Sequence, residues 1–491
     1  MNLESSCRVV VHDPRIVESP LSQLIDVGAC GWARRPDGTV VLRSDPGGSR
    51  PLCWRWLNQA VHLACYPGDL ARLEPAIQPE IAILSDLAHF RFPDDGTSPF
   101  PGIRRVIAGS ETRIATSGIG TESTWWTLPS EPDGPSEIES LWLALVRECR
   151  RIINGRRVAI LLSGGLDSSA VAAAAGSVAQ ETGWPLPILA SLVYPGLPCD
   201  EDRWQESVAR HLGLKRVTIN PIGTPVWSEA QAVIRRRLAP IIDVQTGAVS
   251  RLVRLIRDEG CEVLLTGFGG DVLFRGVGLE QSLIARGRLL AVQRHFRGLS
   301  QAMPVSVARL WYGGVVRPII TGARSPGLGK EEIQVAGSSV RSVVARAIRD
   351  SAFGWIIEGT EQGGGEPPVT LESPFYGAGF LQAFSRVSQE DFVRRPSHKG
   401  ILRSMIRPHL PALVVDRQRK TNFLDYHRTW LATERTHMAQ RYRALRTTVP
   451  LETALPQVID GALEATGGLT GFTRSWMALS ALEVLDSARS K

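Results

Sequence analysis

Short segments in which apolar and polar residues alternate occupy the first quarter of the chain. Residues 38–44 and 112–116 are examples, and turn-forming Gly, Pro and Asp residues bound each of them. Alternation with a period of two predicts strands with one buried face, and frequent turns between such strands are typical of antiparallel sheets. Residues 1–128 are therefore predicted to form a mainly antiparallel β domain. A polar, proline-containing stretch follows and predicts a linker at residues 129–136.

The pattern then changes to helices alternating with fully apolar strands. Ser136 is suited to cap an amphipathic helix that is predicted to run to about residue 153. Continuous apolar runs predict strands that are buried on both faces, and their alternation with helices predicts a parallel, doubly wound α/β sheet. The predicted strands are residues 158–162, 188–193, 217–219 and 263–265, and the predicted helices between them are residues 169–179, 202–212, 227–238 and 247–259.

Beyond about residue 280 the strand pattern fades. The remaining chain is predicted to be mostly helical, with loops at residues 321–329 and 359–368. No internal repeat at a fixed period is visible. The predicted fold class is therefore α/β, with an antiparallel domain at residues 1–128 and a doubly wound parallel-sheet domain with a helical C-terminal region at residues 137–491.

The length and the cysteine content agree with an intracellular protein of two domains. A chain of 491 residues exceeds what one hydrophobic core usually organises. No apolar run reaches the length of about 18 residues that indicates a membrane span, and the N-terminal residues do not have the pattern of a secretory signal. Seven cysteines without a Cys-x-x-Cys pair disfavour a disulfide framework or a zinc ribbon. We therefore expect a cytoplasmic protein.

The positive charge does not predict nucleic-acid binding. The net charge of +7 is modest for this length, and 51 of the 56 basic residues are arginines. Such a bias is typical of a genome rich in G and C. A nucleic-acid binder usually gathers its charge into one stripe with interleaved aromatic residues. Here the basic clusters are scattered, at residues 104–105, 156–157, 235–237 and 417–420, so most are expected to be solvated surface.

The most informative sequence is Leu-Ser-Gly-Gly-Leu-Asp-Ser-Ser at residues 162–169, between a predicted strand and a predicted helix. Glycines allow the backbone to approach a polyphosphate, and the N-terminus of a helix favours an anion. Asp167 would repel phosphate, but it is suited to bind Mg²⁺ beside phosphates. The string is neither a Walker loop nor a dinucleotide fingerprint. It predicts a phosphate-binding turn.

This string resembles the pyrophosphate loop of the N-type ATP pyrophosphatases, which adenylate a substrate with ATP. Residues 266–274, Thr-Gly-Phe-Gly-Gly-Asp-Val-Leu-Phe, resemble a second signature in the asparagine synthetase branch of that family. Weaker resemblances are an Asp-Glu motif at residues 199–204 followed by residues 208–213, a Pro-Phe-Leu motif at residues 373–376 and an Arg-x-Lys-x-x-Phe motif at residues 417–423. The resemblance covers about residues 137–430.

The resemblance implies ATP and Mg²⁺ as cofactors and a role for each matching residue. Asp167 and Asp271 would share Mg²⁺. Lys420 would neutralise charge on the phosphates or on a tetrahedral intermediate, although a surface lysine in a basic run is the alternative. Glu201 would belong to the catalytic set, although an acid at a helix start is also good capping chemistry. The residues implied to cradle pyrophosphate are Ser163, Gly164, Gly165, Asp167 and Ser168, and those implied to hold adenosine through their backbone are Leu162, Val193, Thr266 and Gly267.

Three departures from the asparagine synthetase pattern narrow the function. Residues 50–54 and residues 99–105 through 125–126 resemble a glutaminase domain, but Asn2 stands where that domain has its cysteine nucleophile, so we predict a degenerate domain without amidase activity. Phe268 replaces the Glu of asparagine synthetases and the Tyr of β-lactam synthetases, and phenylalanine cannot transfer a proton. Gly377 stands where the family usually has Asp, which is expected to reshape the acceptor pocket.

Among relatives with an inactive glutaminase-like domain, the chain most resembles the lasso peptide cyclases. The resemblance implies adenylation of an Asp or Glu side chain in a processed precursor peptide, followed by attack of the peptide's N-terminal amine. It also implies two further partners, a leader peptidase and a leader-recognition protein. Residues 359–368 and the helical C-terminal region are predicted to contact the peptide.

Other functions remain open at this point. The nearest alternative is an asparagine synthetase-like or β-lactam synthetase-like amide ligase that acts on a small amino acid. A tRNA-modifying or nucleotide-amidating enzyme would need a basic face or a base-binding domain. A catalytically inactive scaffold is disfavoured by the presence of both Asp167 and Asp271, since each would be a costly buried charge without a cation.

Overall fold

The computed structural model describes residues 8–19, 31–129, 138–302, 305–316, 340–349, 352–363, 365, 368–417, 423–448 and 468–489. Two β-sheets lie in the N-terminal part and one parallel sheet follows. The N-terminal strands are β1 (Arg8–Val11), β2 (Val17–Glu18), β3 (Gly31–Arg34), β4 (Val40–Arg43), β5 (Cys53–Leu57), β6 (Ala60–Ala64), β7 (Ile103–Arg105), β8 (Ser110–Ile114) and β9 (Gly120–Thr124). The later strands are β10 (Val158–Leu161), β11 (Ile188–Leu192), β12 (Arg216–Ile219), β13 (Val263–Leu265) and β14 (Thr370–Glu372).

The N-terminal sheets have the strand orders β1-β6-β5-β7 and β2-β3-β4-β8-β9. Their alternating residues meet in one core, in which Val40 and Leu42 of one sheet pack with Val61 and Leu63 of the other. Most neighbouring strands are antiparallel, which confirms the prediction. The pairs β1–β6 and β2–β3 are parallel, a detail that alternation alone does not predict because it identifies a buried face and not a partner.

The third sheet has the order β12-β11-β10-β13-β14, and every neighbouring pair in it is parallel. Strands β11 and β13 are buried throughout, as their continuous apolar runs predict. Helices pack on both faces of the sheet and form two large apolar cores. The chain extends from β10 to one side through β11 and β12, and later to the other side through β13 and β14. Ligands of such sheets bind beyond the carboxyl ends of the strands at this switch point, here β10 and β13.

Helices account for most of the remaining described chain. Two short helices lie between N-terminal strands along the chain, although the second packs into a core of the parallel-sheet part. The others surround the parallel sheet or follow it. They are α1 (Pro67–Ala71), α2 (Ile81–Ala88), α3 (Ile138–Ile153), α4 (Leu166–Thr182), α5 (Asp202–Leu212), α6 (Val226–Arg237), α7 (Thr246–Asp258), α8 (Gly270–Phe274), α9 (Leu279–Ala285), α10 (Leu289–Ala302), α11 (Val307–Trp311), α12 (Val340–Arg349), α13 (Ala352–Gly363), α14 (Ala378–Phe384), α15 (Gln389–Arg394), α16 (Gly400–Ile406), α17 (Ala412–Val415), α18 (Leu424–Thr448) and α19 (Gly468–Arg489), with a π-helix at Tyr312–Val316 and a 3₁₀-helix at Pro374–Tyr376.

One prediction for the C-terminal region is wrong, and another is incomplete. The predicted loop at residues 359–368 begins inside α13, which continues to Gly363. The glycines there allow close packing: a Cβ on Gly363 would lie 1.9 Å from Ser250 Oγ of α7, and one on Gly359 would lie 3.0 Å from Arg237 Nη1. Strand β14 also lies beyond residue 280, and its three residues are too few to show a pattern. The predicted loop at residues 321–329 and the predicted cap Ser136 lie outside the described residues.

Buried ion pairs join the N-terminal sheets to the parallel-sheet part. Arg105 and the fully buried Arg237 share the carboxylate of Glu358, with Arg237 Nη2 3.1 Å from Glu358 Oε2. Arg15 Nη1 lies 2.9 Å from Glu361 Oε2, and Arg50 pairs with the buried Glu372. These contacts attach the N-terminal sheets firmly to α13 and β14. Within the described part of the chain, no helix is both long and apolar enough to cross a membrane.

Candidate functional site

The first turn of the site connects β10 to α4. Gly164 has a φ of +74°, a left-handed conformation that favours glycine, and a Cβ there would lie 3.0 Å from the Cβ of Trp204. The Ser163 N–H donates to Ser168 Oγ at 3.2 Å, so the hydroxyl groups of the motif brace the turn itself. Helix α4 begins after Gly165 without a side-chain cap. Such an N-terminus is suited to bind an anion.

The second turn connects β13 to α8 and touches the first. A Cβ on Gly267 would lie 2.6 Å from the backbone nitrogen of Ser168, and one on Gly270 would lie 2.2 Å from Asp167 Oδ1. Gly269 has a φ of +89°. Larger residues at positions 267 and 270 would displace Asp167. The two glycine-rich strings, about one hundred residues apart along the chain, therefore form a single cradle.

Two carboxylates converge on one cation in this cradle. Lys399 Nζ pairs with Asp167 Oδ2 and lies 2.8 Å from Asp271 Oδ1. The lysine side chain is 3% exposed, whereas that of Asp271 is 36% exposed. Carboxylate oxygens that already share one cation are the donor set that Mg²⁺ prefers. Asp167 and Asp271 thus fit the predicted Mg²⁺ site.

Lys399 is a site residue that the sequence analysis missed. It precedes α16 with a φ of +58°, which is uncommon for a residue other than glycine and often marks a functional position. A signal was present, since the chain has only five lysines among its many arginines. The motif resemblance at residues 417–423 points to Lys420 instead. Lys420 itself lies outside the described residues.

Glu201 reaches the first turn through an arginine. Its buried carboxylate pairs with Arg417, whose Nη1 donates to the carbonyl oxygen of Gly164 at 3.3 Å. Glu201 makes no side-chain cap to α5, and it is Asp200 Oδ1 that accepts from the backbone of Asp202. The structure therefore places Glu201 behind the phosphate turn, where it holds Arg417 in position.

The four residues predicted to hold adenosine lie together at one edge of the parallel sheet. Leu162, Val193 and Thr266 follow β10, β11 and β13, and Gly267 begins the second turn. The N–H groups of the first three donate to neighbouring strands; that of Thr266, for example, donates to the Glu372 carbonyl at 2.9 Å. Sheet bonding thus fixes this backbone edge beside the phosphate turns, which is the arrangement that nucleotide binding requires.

Phe268 has no proton acceptor in its side chain, and its backbone is fixed. Its carbonyl oxygen accepts from Ser373 Oγ at 2.6 Å, and its ring packs against the apolar core on one face of the parallel sheet. The residue therefore contributes an apolar side chain that packs against the core beside the second turn. No general base for the reaction arises at this position.

The space beside Gly377 is filled by the side chain of Glu148, a residue of another helix. Glu148 of α3 is buried, and its Oε1 accepts from the Gly379 N–H in the first turn of α14 at 2.9 Å. A Cβ on Gly377 would lie 2.4 Å from Glu148 Cδ. The carboxylate of Glu148 thus occupies the space beside Gly377 and caps α14, as an acid at the start of a helix does.

We expect Gly377→Ala to destabilise the protein by about 1–3 kcal/mol, because the added methyl group overpacks against Glu148. In the background of Glu148→Ala, which alone removes the cap of α14, the same substitution should cost much less. Denaturant unfolding of the wild type, the two single variants and the double variant measures this coupling. Additive changes in the free energy of unfolding would contradict a direct contact between residue 377 and Glu148.

Residues 145–327 match the family described as Asparagine synthase. This part of the chain is similar to that family. The match contains both glycine-rich turns, Asp167 and Asp271, whereas Lys399 and Arg417 lie C-terminal to it. A comparison with curated proteins found no match.

This match supports the prediction that the chain is asparagine synthetase-like. The family uses ATP to form amide bonds and generally requires Mg²⁺, so a ligase that binds ATP is supported. The predicted fold class agrees with this domain, since the described chain combines a mainly antiparallel region with a parallel sheet covered by helices.

Proposed function

We propose that this protein is an ATP-dependent macrolactam synthetase of the lasso peptide cyclase type. The substrate is a leader-cleaved precursor peptide with an Asp or Glu side chain as the acceptor. Its own N-terminal amine is the nucleophile. The products are the cyclised peptide, AMP and pyrophosphate.

In the first step, a carboxylate oxygen of the peptide attacks the α-phosphorus of ATP, and the bond to pyrophosphate breaks. The two turns cradle the polyphosphate, with the N-terminus of α4 directed at negative charge. Asp167 and Asp271 would hold Mg²⁺, which neutralises charge on the leaving pyrophosphate. Lys399 is buried between these carboxylates and keeps them oriented. Lys420 remains a proposed further cation for this step.

In the second step, the peptide amine attacks the activated acyl carbon, AMP leaves, and the amine loses a proton. Phe268 indicates which kind of amine can act as the nucleophile, because its side chain cannot serve as a base. An α-amine has a pKa of about 7.7–8.0 and is partly neutral near pH 7, whereas a lysine side chain has a pKa of about 10.4. A site without a base at this position therefore favours the N-terminal amine of a peptide.

The described cysteines of the N-terminal sheets argue against glutamine as the source of the amide nitrogen. Their described cysteines, Cys53 and Cys65, are both buried, and burial raises the pKa of the Cys65 thiol well above its ordinary value. A buried thiol of raised pKa is a poor nucleophile. We infer that this part of the protein supports the ATP site mechanically through its ion pairs with α13 and β14.

Ring closure is mainly a positioning problem, because the two ends of one peptide must meet in a threaded shape. A shaped cavity makes the attack effectively unimolecular. The proposed peptide-contacting part is the helical C-terminal region, whereas Thr360 and Glu361 of the predicted loop are buried and unsuited to contact a peptide. The proposed partners are the precursor peptide, a leader peptidase and a leader-recognition protein.

The test is mass spectrometry of a candidate precursor peptide incubated with ATP, Mg²⁺, this protein and the leader-removing partner. We expect the core peptide to lose one water while AMP forms in equal amount. Omission of ATP is the control. AMP formation that depends on ammonia or a free amino acid, with no dehydrated peptide, would contradict the proposal and favour a small-molecule amide ligase.

A further inference from the structure

A stack of one tryptophan and two arginines covers the first phosphate turn. Trp204, in the first turn of α5, lies against Gly164. The guanidinium carbons of Arg203 and Arg417 each lie 3.9 Å from the centroid of its ring. Guanidinium groups stack favourably on an indole ring, so Trp204 orients both cations. Arg417 also contacts the turn directly, since its Nη1 donates to the Gly164 carbonyl oxygen at 3.3 Å.

The two arginines differ in their electrostatic partners. Arg417 is buried and its charge is balanced by Glu201. Arg203 is exposed and makes no ion pair with any residue in the described ranges. Arg203 is therefore a cation that is oriented but not neutralised.

The acids nearest in sequence are committed to other arginines. Asp202 Oδ1 lies 2.6 Å from Arg216 Nη2, and Glu206 pairs with Arg210 at 3.2 Å. A guanidinium left uncompensated on a helix that offers acids at the neighbouring positions is suited to bind an anion from outside. The anion that the adjacent turn is built to hold is a polyphosphate.

We propose that Arg203 binds the pyrophosphate portion of the nucleotide and the pyrophosphate product. This inference rests on the proposed ATP cleavage and adds a specific residue to it. Trp204 is the positioning residue, because its ring stacks on the Arg203 guanidinium while its Cβ lies against Gly164. An Arg at this point stabilises the charge that develops on the leaving group when the α–β bond breaks.

The test is calorimetric titration of the full chain with Mg²⁺-pyrophosphate and, separately, with AMP. We expect Arg203→Ala to weaken pyrophosphate binding about tenfold, the loss of one charge-assisted contact, while AMP binding is unchanged. Arg203→Lys should weaken it less. Arg210→Ala is the matched control, since Arg210 is exposed on the same helix and already paired, and it should bind as the wild type does.

Unchanged pyrophosphate binding in Arg203→Ala would overturn the inference. An equal loss of AMP binding would also overturn it, because this would indicate a general disturbance of the turn. These titrations need no peptide and no turnover. A wild-type protein that binds pyrophosphate through Arg203 but forms no macrolactam would refute the proposed function and leave this assignment standing.

Discussion

Asp167→Ala and Asp271→Ala are each expected to lower ATP cleavage by about 100- to 1,000-fold, measured as AMP formed with the precursor peptide. Both carboxylates converge on one cation in the cradle, with Asp271 Oδ1 2.8 Å from Lys399 Nζ. Either substitution removes one of the two carboxylates proposed to hold Mg²⁺ and leaves the buried Lys399 with one carboxylate partner. The charge on the departing pyrophosphate would then lack the cation proposed to neutralise it.

The isosteric variants Asp167→Asn and Asp271→Asn separate charge from shape. They should be nearly as inactive, while thermal unfolding shows a folded protein. Asp258→Ala is a suitable control, because the Asp258 side chain is 69% exposed and pairs with Arg257 at the surface. Retained AMP formation in either Ala variant would refute the Mg²⁺ assignment.

Glu358→Ala is expected to destabilise the protein by about 3–5 kcal/mol, the cost of leaving buried charge unpaired. Glu358 Oε2 lies 2.8 Å from Arg105 Nη2 and 3.1 Å from Arg237 Nη2. Arg237 is completely buried, and burial already lowers its pKa to about 10. Without Glu358, two guanidinium groups would share a dry pocket beside Trp355.

Denaturant unfolding measures this effect, with Glu390→Ala as the matched control. Glu390 pairs with Arg288 at 2.7 Å in a partly exposed position, so its loss should cost less than about 1 kcal/mol. Equal free energies of unfolding for the two variants would contradict the account of the buried cluster. An intact ATP site in Glu358→Ala at low temperature would show that the effect is on stability.

The sequence predicts the parallel sheet well because the relevant signals are local. The apolar run at Val263–Leu265 and the helix at Asp202–Leu212 have the predicted bounds, and the turns at Gly164 and Gly269 are encoded by adjacent residues. A motif that binds phosphate must carry its glycines and its acid within one turn. Such a site is therefore visible in a short string.

The missed features depend on contacts between distant residues. Lys399 meets Asp167 across 232 positions of chain, and Arg105 meets Glu358 across 253. The glycines of α13 were interpreted as loop formers, whereas their small size serves packing against α7. Strand β14 is too short to show a periodicity, and it is defined by its pairing with β13. Neither local propensity nor spacing contains this information.

The arginines that cross between the N-terminal sheets and the parallel-sheet part restrict how related enzymes can exchange modules. Arg15 and Arg50 must meet Glu361 and Glu372 at fixed positions. In a chimera whose N-terminal part lacks the matching basic residues, the buried Glu361 and Glu372 would lose these arginine partners. We therefore expect a chimera to keep this junction only when the incoming sequence supplies the complementary charges.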